Sequence, residues 1–240
     1  MSPSAPLPRA VFFDLDDTIL SFSAGADECW ARVCARHVGR LPGIDTPALR
    51  AAIDESRDWF WSDDERSRAG RLDMGRARRR IVGRAFDELG LDAETVALEL
   101  ADQFTLEREE RVHLFPGALE TLVALRDRGV PLALLTNGGA RFQRAKIDRF
   151  ELASHFEIVL IEEEFGVGKP DERVFRRALD HLGVAPGETW MVGDSLRADI
   201  APAVALGLHS VWVDHRDAGL PEDAPASPHR RVVRISELLV

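Results

Sequence analysis

Ala10-Val11-Phe12-Phe13-Asp14-Leu15-Asp16-Asp17-Thr18 is the stretch on which the fold turns. Its first four residues are apolar, β-favouring apart from Ala10, and free of turn formers. A short continuous apolar run of this kind reads as a strand buried on both faces, as in a parallel sheet covered by helices. Directly off its end come Asp14, Asp16 and Asp17, and then the hydroxyl of Thr18. Ligand sites in open α/β sheets lie just beyond the carboxyl ends of the strands, so this acidic cluster falls where chemistry is expected. Two ionised carboxylates about 4 Å apart repel by roughly 4 kcal/mol at an effective dielectric of about 20. Such a cluster asks for a cation.

Outward from this stretch the pattern first turns helical. Trp30, Val33, Cys34, His37 and Val38 follow the i, i+3, i+4, i+7, i+8 spacing of an amphipathic helix; His37 on that stripe reads as a boundary residue rather than a ligand. Leu49, Ala52, Ile53 and Phe60 make a second stripe. Ala77, Ile81, Val82, Ala85, Phe86 and Leu89 make a third, stopped by Gly90, and Val96, Leu100 and Phe104 a fourth. Residues 21–112 therefore read as a helical domain inserted between residues 1–20 and 113–240. Beyond Pro116-Gly117, a short helix on Leu119, Leu122 and Val123 leads to strands at 131–136, 156–161, 189–194 and 209–214. Helices lie at about 140–150, 174–182 and 196–206, and a glycine-containing loop carries Gly166, Gly168, Lys169 and Pro170. Residues 215–230 read as a surface loop, and 231–235 as the segment closing the sheet. Strands alternating with helices define an α/β fold with a doubly wound parallel sheet, Rossmann-like, carrying a smaller inserted helical domain. Right-handed crossovers bring the strand ends to one edge.

Composition excludes several classes. A chain of 240 residues that is 45% hydrophobic and 30% charged has a globular profile with ample core. A net charge of −10 argues against nucleic-acid or anionic-membrane partners. No apolar run reaches the length of a membrane span. Met1–Arg9 is Pro- and Ser-rich without a hydrophobic centre, unlike a secretory signal. Cys29 and Cys34 are too few for a disulfide framework or a zinc site, and read as reduced thiols of a cytoplasmic protein.

Four pieces stand in order along the core: Asp14-x-Asp16-x-Thr18, Thr136-Asn137, Lys169-Pro170, and Gly193-Asp194-Ser195 with Asp199 following. Each sits at the end of an expected strand or in the loop beyond. In these pieces and their order the chain closely resembles the haloacid dehalogenase-like superfamily, specifically its phosphatase branch with a helical cap inserted after the first strand. Alone, each piece has a plainer reading. Asp16-Asp17-Thr18 would cap a helix and Asp194-Ser195 would do the same; Thr136-Asn137-Gly138-Gly139 would be a turn, and Lys169 a solvated loop residue.

The resemblance implies a phosphoryl-transfer site. Asp14 would be the nucleophile, forming an aspartyl-phosphate. Asp16 would protonate the leaving alkoxide and then deprotonate the attacking water, while Thr18 would help hold the loop. Thr136, through its hydroxyl, and Asn137, through its backbone N–H, would bind phosphate oxygens. Lys169 would offset charge on nucleophile and substrate. Mg²⁺ is the implied cofactor, with Asp14 and Asp194 ligating through carboxylates, Asp16 through its carbonyl, and Asp199 directly or through water; a cluster of hard oxygen ligands suits that ion. An acid at position 16 fits an oxygen leaving group better than a halide, which departs without a proton.

The expected activity is hydrolysis of a small phosphorylated metabolite, a nucleoside monophosphate or a sugar phosphate, by a monomer or homodimer. A phosphomutase of the β-phosphoglucomutase kind, a 2-haloacid dehalogenase and a catalytically silent binding protein are the alternatives. Specificity is expected from the cap, where Trp59-Phe60-Trp61 reads as packed core. Arg66, Arg68 and Arg71 lie in a loop-like segment, and Arg76, Arg80 and Arg84 on an outer helical face. Hinges near 19–23 and 113–117 would let the cap open and close, excluding water during transfer.

Overall fold

The computed structural model describes residues 7–239; of the stretch Met1–Arg9, residues 1–6 lie outside the described residues. Two compact units are present, one ending its first piece at Ser21 and resuming at His113, the other spanning Phe22–Val112.

The first unit is built on a six-stranded sheet in the order β5-β4-β1-β6-β7-β8. These strands are β1 (Ala10–Phe13), β4 (Leu132–Thr136), β5 (Ile158–Ile161), β6 (Thr189–Gly193), β7 (His209–Val213) and β8 (Arg230–Val232). Every neighbouring pair is parallel. β1 lies at the centre because it is buried on both faces: alternate residues point to opposite sides of a strand, and all four are fully buried. Ala10 and Phe12 pack with Val174, Phe175, Ala178 and Leu179 of the helix α9 (Glu172–Leu182). The chain runs from β1 outward to β4 and β5, then returns to β6 on the other side. That reversal makes the carboxyl end of β1 a topological switch point.

The remaining elements of this unit include α6 (Ala118–Asp127), α7 (Ala140–Arg149), α8 (Glu162–Phe165) and α10 (Ala201–Ala205). Three features of this unit depart from expectation. α8 occupies part of what reads as a loop, and Leu196–Ile200 is a π-helical turn rather than the first turn of an α-helix. In α6, Thr121 and Leu125 are buried with Leu122, while Val123 is 40% exposed, so the inward face is rotated from the expected stripe. Two short strands lie outside the main sheet. β2 (Leu20–Ser21) and β3 (His113–Leu114) pair antiparallel, Leu20 opposite Leu114 and Ser21 opposite His113.

The second unit contains α1 (Ala26–His37), α2 (Thr46–Trp61), α3 (Asp64–Leu72), α4 (Met74–Glu88) and α5 (Glu94–Arg111). Its core gathers the four expected stripes, including Trp30, Ile53, Phe60, Ile81, Phe86, Leu100 and Phe104, with Cys29 and Cys34 as free buried thiols. Trp30 stacks on Phe104 with ring centroids 3.6 Å apart. His37 is buried and its Nδ1 lies 2.9 Å from the Val33 carbonyl, a helix-internal contact.

α3 is the element that apolar periodicity misses. Its nine residues, Asp-Glu-Arg-Ser-Arg-Ala-Gly-Arg-Leu, carry almost no apolar stripe, so the Arg66–Arg71 segment reads as a loop. The helix is instead set by its ends: Asp63 accepts from the Arg66 N–H at 2.8 Å, and Asp73 caps α4 through the Arg76 N–H at 2.9 Å. Each such cap is worth about 1 kcal/mol. Gly70 allows close packing, since a Cβ there would fall 2.5 Å from the Phe60 ring. Trp59 is flanked by guanidinium groups, Arg66 at 4.3 Å and Arg84 at 4.2 Å from its centroid, while Arg76 and Arg80 remain exposed. No described helix is long and apolar enough to cross a membrane.

Phe12→Ala should lower the unfolding free energy by about 3–5 kcal/mol, the range for truncating a core aromatic. The measurement is the urea midpoint at unchanged m-value; a loss below about 1 kcal/mol would contradict a central place for Phe12.

Candidate active site

β1, β4 and β6 end side by side, and the loops beyond them carry the acidic and polar residues. The Asp14 N–H donates to the Val192 carbonyl at 2.9 Å, so the sheet ladder continues one residue past β1 and aims Asp14 from a rigid base. One oxygen of each of Asp14, Asp194 and Asp199 lies within 4.8 Å of the others. Lys169 Nζ donates to Asp14 Oδ1 at 2.7 Å and to Asp199 Oδ1 at 2.6 Å. Asp14, Lys169 and Asp199 are all buried.

Each of these groups is held by its neighbours. Asn137 Oδ1 accepts from the Lys169 N–H, and Asn137 Nδ2 donates to the Lys169 carbonyl, both at 2.7 Å. The Asn137 side chain is thus committed to the lysine loop. A Cβ at Gly168 would fall 2.6 Å from Glu162 Cδ and 2.7 Å from Asn137 Oδ1, so only glycine permits this approach. Asp199 Oδ2 accepts the Ser195 N–H at 3.0 Å. The Ser195 hydroxyl accepts from the Ala198 N–H at 3.1 Å, so Ser195 does cap the turn that follows. The π-turn carries Asp199 back over Gly193, whose missing side chain leaves it room. Single π-turns of this sort recur at functional sites.

Charge is the governing quantity. Burial pushes the Asp14 carboxyl up to about 7; Lys169 opposes this, and Asp199 and Asp16 add to it. Asp194 is pushed up to about 9 by burial and then by the repulsion of Asp14, Asp199 and Asp17. Burial alone would lower the Lys169 ammonium, but Asp14 and Asp199 hold it well above the ordinary lysine range. A single ammonium thus faces a cluster of carboxylates, two of which are held well above the ordinary aspartate range. Asp17, Asp194 and His215 form an adjoining group whose ligand atoms also lie within 4.8 Å.

The sequence-derived residues separate into two groups. Asp14, Lys169, Asp194 and Asp199 converge around the ammonium. Asp16 and Thr136 are joined instead to α7: Lys146 Nζ contacts both Asp16 oxygens, 2.6 Å from Oδ1, and Gln143 Nε2 shares its two N–H groups among Asp16 Oδ2, the Thr136 hydroxyl and the Asn137 carbonyl, all within hydrogen-bond distance. Neither Gln143 nor Lys146 lies in the four pieces; the trace left in the sequence is that Gln143 falls four residues before the buried Ile147 on one helical face. Glu162, accepting the Gly138 N–H at 3.0 Å, went equally unread in a stretch that looks like a loop. Thr18, expected to brace the acidic loop, is buried but its hydroxyl makes no hydrogen bond among the described residues. No helix follows Asp16-Asp17-Thr18, so these residues do not cap one.

The sequence profile of the haloacid dehalogenase-like hydrolases matches residues 8–207. A phosphoserine phosphatase from Thermus thermophilus is 46% identical over 239 residues, 98% of this chain and 92% of the relative. A ribulose-1,5-bisphosphate 5-phosphatase from Halopiger xanaduensis is 31% identical, covering 87% and 85%. Among solved structures, the hydrolase YfnB from Bacillus subtilis, crystallised with magnesium, superposes with a TM-score of 0.71 at 22% identity over 97% of each chain, a likeness of fold. The chain belongs to the haloacid dehalogenase-like hydrolases. Within them it lies among the phosphatases.

A Cβ at Gly193 would fall 2.3 Å from Asp199 Oδ2. Gly193→Ala should therefore displace Asp199 from Lys169 and cost about 3–5 kcal/mol, the scale of breaking a buried ion pair. Thermal unfolding checks this, and a variant as stable as the parent would refute the packing of Asp199 on Gly193.

Proposed function

We propose that this chain is a Mg²⁺-dependent phosphatase acting on a small phosphorylated metabolite through an aspartyl-phosphate on Asp14. The observation that carries the reading is the meeting of Asp14, Asp194 and Asp199 around one lysine at the switch point of the sheet.

The donor set fits the ion. Hard oxygen ligands gathered at one place suit Mg²⁺, and the raised Asp14 and Asp194 carboxyls mark a deficit of positive charge in the pocket. Asp14 and Asp194 would hold the ion through carboxylates and Asp16 through its carbonyl, with Asp199 acting directly or through water. Bound there, it would neutralise the carboxylates and the phosphate dianion, which otherwise repel each other.

The chain's own residues perform the rest. An Asp14 oxygen attacks phosphorus; the bond to phosphorus forms as the bond to the leaving oxygen breaks, and Asp16 gives that oxygen a proton. Asp16 then takes a proton from water, whose oxygen attacks phosphorus and frees Asp14. Thr136 Oγ1 and the Asn137 N–H hold the phosphoryl oxygens, and Lys169 balances the charge of nucleophile and substrate. An acid two residues beyond the nucleophile supports an oxygen leaving group over a halide. The helical unit is proposed as the part that selects among substrates. The names of the two relatives place phosphoserine and sugar phosphates first in an assay panel, followed by nucleoside monophosphates.

Asp14→Asn should reduce turnover by at least about 10³-fold, the scale of losing a nucleophile, with the thermal transition retained; substantial residual phosphate release would remove Asp14 from that role. An inactive wild-type protein with Mg²⁺ across the whole panel would favour a binding protein on the same scaffold, and isomer formation in place of phosphate release would favour a mutase.

Ion binding should be linked to pH. Without metal, Asp194 and Asp14 hold protons up to about 9 and about 7. An unfolded aspartate holds its proton only to about 3.9. Between those limits the folded state binds more protons, so these two groups make the metal-free protein less stable as pH rises. Metal displaces the protons, so Mg²⁺ affinity should increase with pH across about 6 to 9. Calorimetric titration in buffers of differing ionisation enthalpy should reveal proton release; a pH-independent affinity would speak against Asp14 and Asp194 as ligands.

A further inference from the structure

Gln143 and Lys146 lie about one turn apart on α7. Gln143 is 3% exposed, and its Nε2 faces the Thr136 hydroxyl, the Asn137 carbonyl at 2.7 Å and Asp16 Oδ2 at 3.1 Å. A carbonyl and a carboxylate can only accept, which fixes the amide nitrogen on this side. An amide nitrogen offers no lone pair to accept with, so the Thr136 hydroxyl facing it keeps its own hydrogen for another acceptor. Lys146 meanwhile spans both oxygens of Asp16, and the two side chains are only 14% and 25% exposed. The pair is thus enclosed and two-pronged, unlike the exposed ion pairs that contribute little.

We propose that Gln143 and Lys146 are positioning residues, through which one face of α7 sets both the donor direction of Thr136 and the place of the Asp16 carboxyl. This deepens the phosphatase reading and rests on it. Asp16 has a short side chain with three staggered wells about χ1, and the Lys146 and Gln143 contacts select one placement among them. Thr136 reaches the phosphoryl group and Asp16 the leaving oxygen, so a single helix registers the two ends of the breaking bond. A misplacement of about 1 Å at such a point can cost 10²-fold in rate.

The inference has a chemical signature. A nitrophenolate departs without help from an acid, whereas an alkoxide needs a proton. Loss of Lys146 should therefore harm alkyl phosphates selectively. Loss of Gln143 should harm both kinds, because Thr136 grips the phosphoryl group common to them, and alkyl phosphates somewhat more, because Gln143 also contacts Asp16.

The test uses the full chain with Mg²⁺ and compares kcat/KM for p-nitrophenyl phosphate and phosphoserine, or another aliphatic monoester turned over more readily. The proteins are wild type, Asp16→Asn, Lys146→Met, Lys146→Arg and Gln143→Leu. The ratio of the two kcat/KM values does not depend on the fraction of folded enzyme, so partial misfolding cannot mimic the effect. Lys146→Met should lower the alkyl value by about 10- to 100-fold, within the range of general acid catalysis, and the aryl value by less than about 3-fold. Lys146→Arg, which can still span a carboxylate, should recover part of the alkyl value. Gln143→Leu should lower the aryl value by about 10-fold, in line with a displaced donor, and the alkyl value by at least as much; an unchanged aryl value would overturn its part of the proposal. Equal losses on both substrates for Lys146→Met, or no loss, would overturn the proposal while leaving the phosphatase reading intact. A wild type that hydrolyses neither ester, or an Asp16→Asn variant without alkyl selectivity, would overturn that reading and this proposal with it.

Discussion

A lysine ammonium held out of water between two aspartates is the constraint around which the first unit is arranged. Desolvating an ion costs several kcal/mol even after relaxation, and only close, well-directed partners repay it. Lys169 has those partners in Asp14 and Asp199, and its backbone is gripped at both N–H and carbonyl by Asn137. The loops beyond β4, β5 and β6 are consequently tied to one atom at the end of β1. Gly168 and Gly193 are where side chains would prevent the closure. The same pocket contains more negative than positive charge, so the interaction that organises the structure also leaves it short of a cation.

Sheet topology explains why such distant segments can meet. β1 has β4 on one side and β6 on the other, and parallel pairing puts the ends of all three on one edge. Strands without exposed faces move little, since their side chains are packed at crystal-like density. Asp14, Thr136 and Asn137 leave those strands within one residue of the last paired position. Preorganisation here is a property of the sheet before it is a property of the loops.

Much of this was legible from residue patterns, and the exceptions have a common cause. Continuous apolar runs announced β1 and β4, and Asp14, Lys169, Asp194 and Asp199 each lay at the end of an expected strand or beyond it. Helix α3 escaped because its stability comes from Asp63 at its start and from Gly70 under Phe60, not from an apolar stripe. Gln143 and Lys146 escaped because their significance lies in partners more than a hundred residues away, at Asp16. The π-turn at Leu196–Ile200 escaped because α and π windings differ by one hydrogen-bond step, and the contact made from the wider one, Asp199 to Lys169, lies thirty residues away in sequence. Periodicity reports burial; it is silent on polar side chains that find each other across the fold.

The small antiparallel pair of Leu20–Ser21 with His113–Leu114 has a consequence for how such a chain can evolve. Adjacent antiparallel strands stand about 4.8 Å apart, so the polypeptide leaves the sheet-bearing unit and re-enters it at practically one point. The entropy of closing a loop grows only logarithmically with its length. Whatever is threaded between those two points can lengthen, shrink or be replaced wholesale at small thermodynamic cost to the sheet-bearing unit. A lineage built this way can trade inserted modules like interchangeable tool heads on a fixed handle.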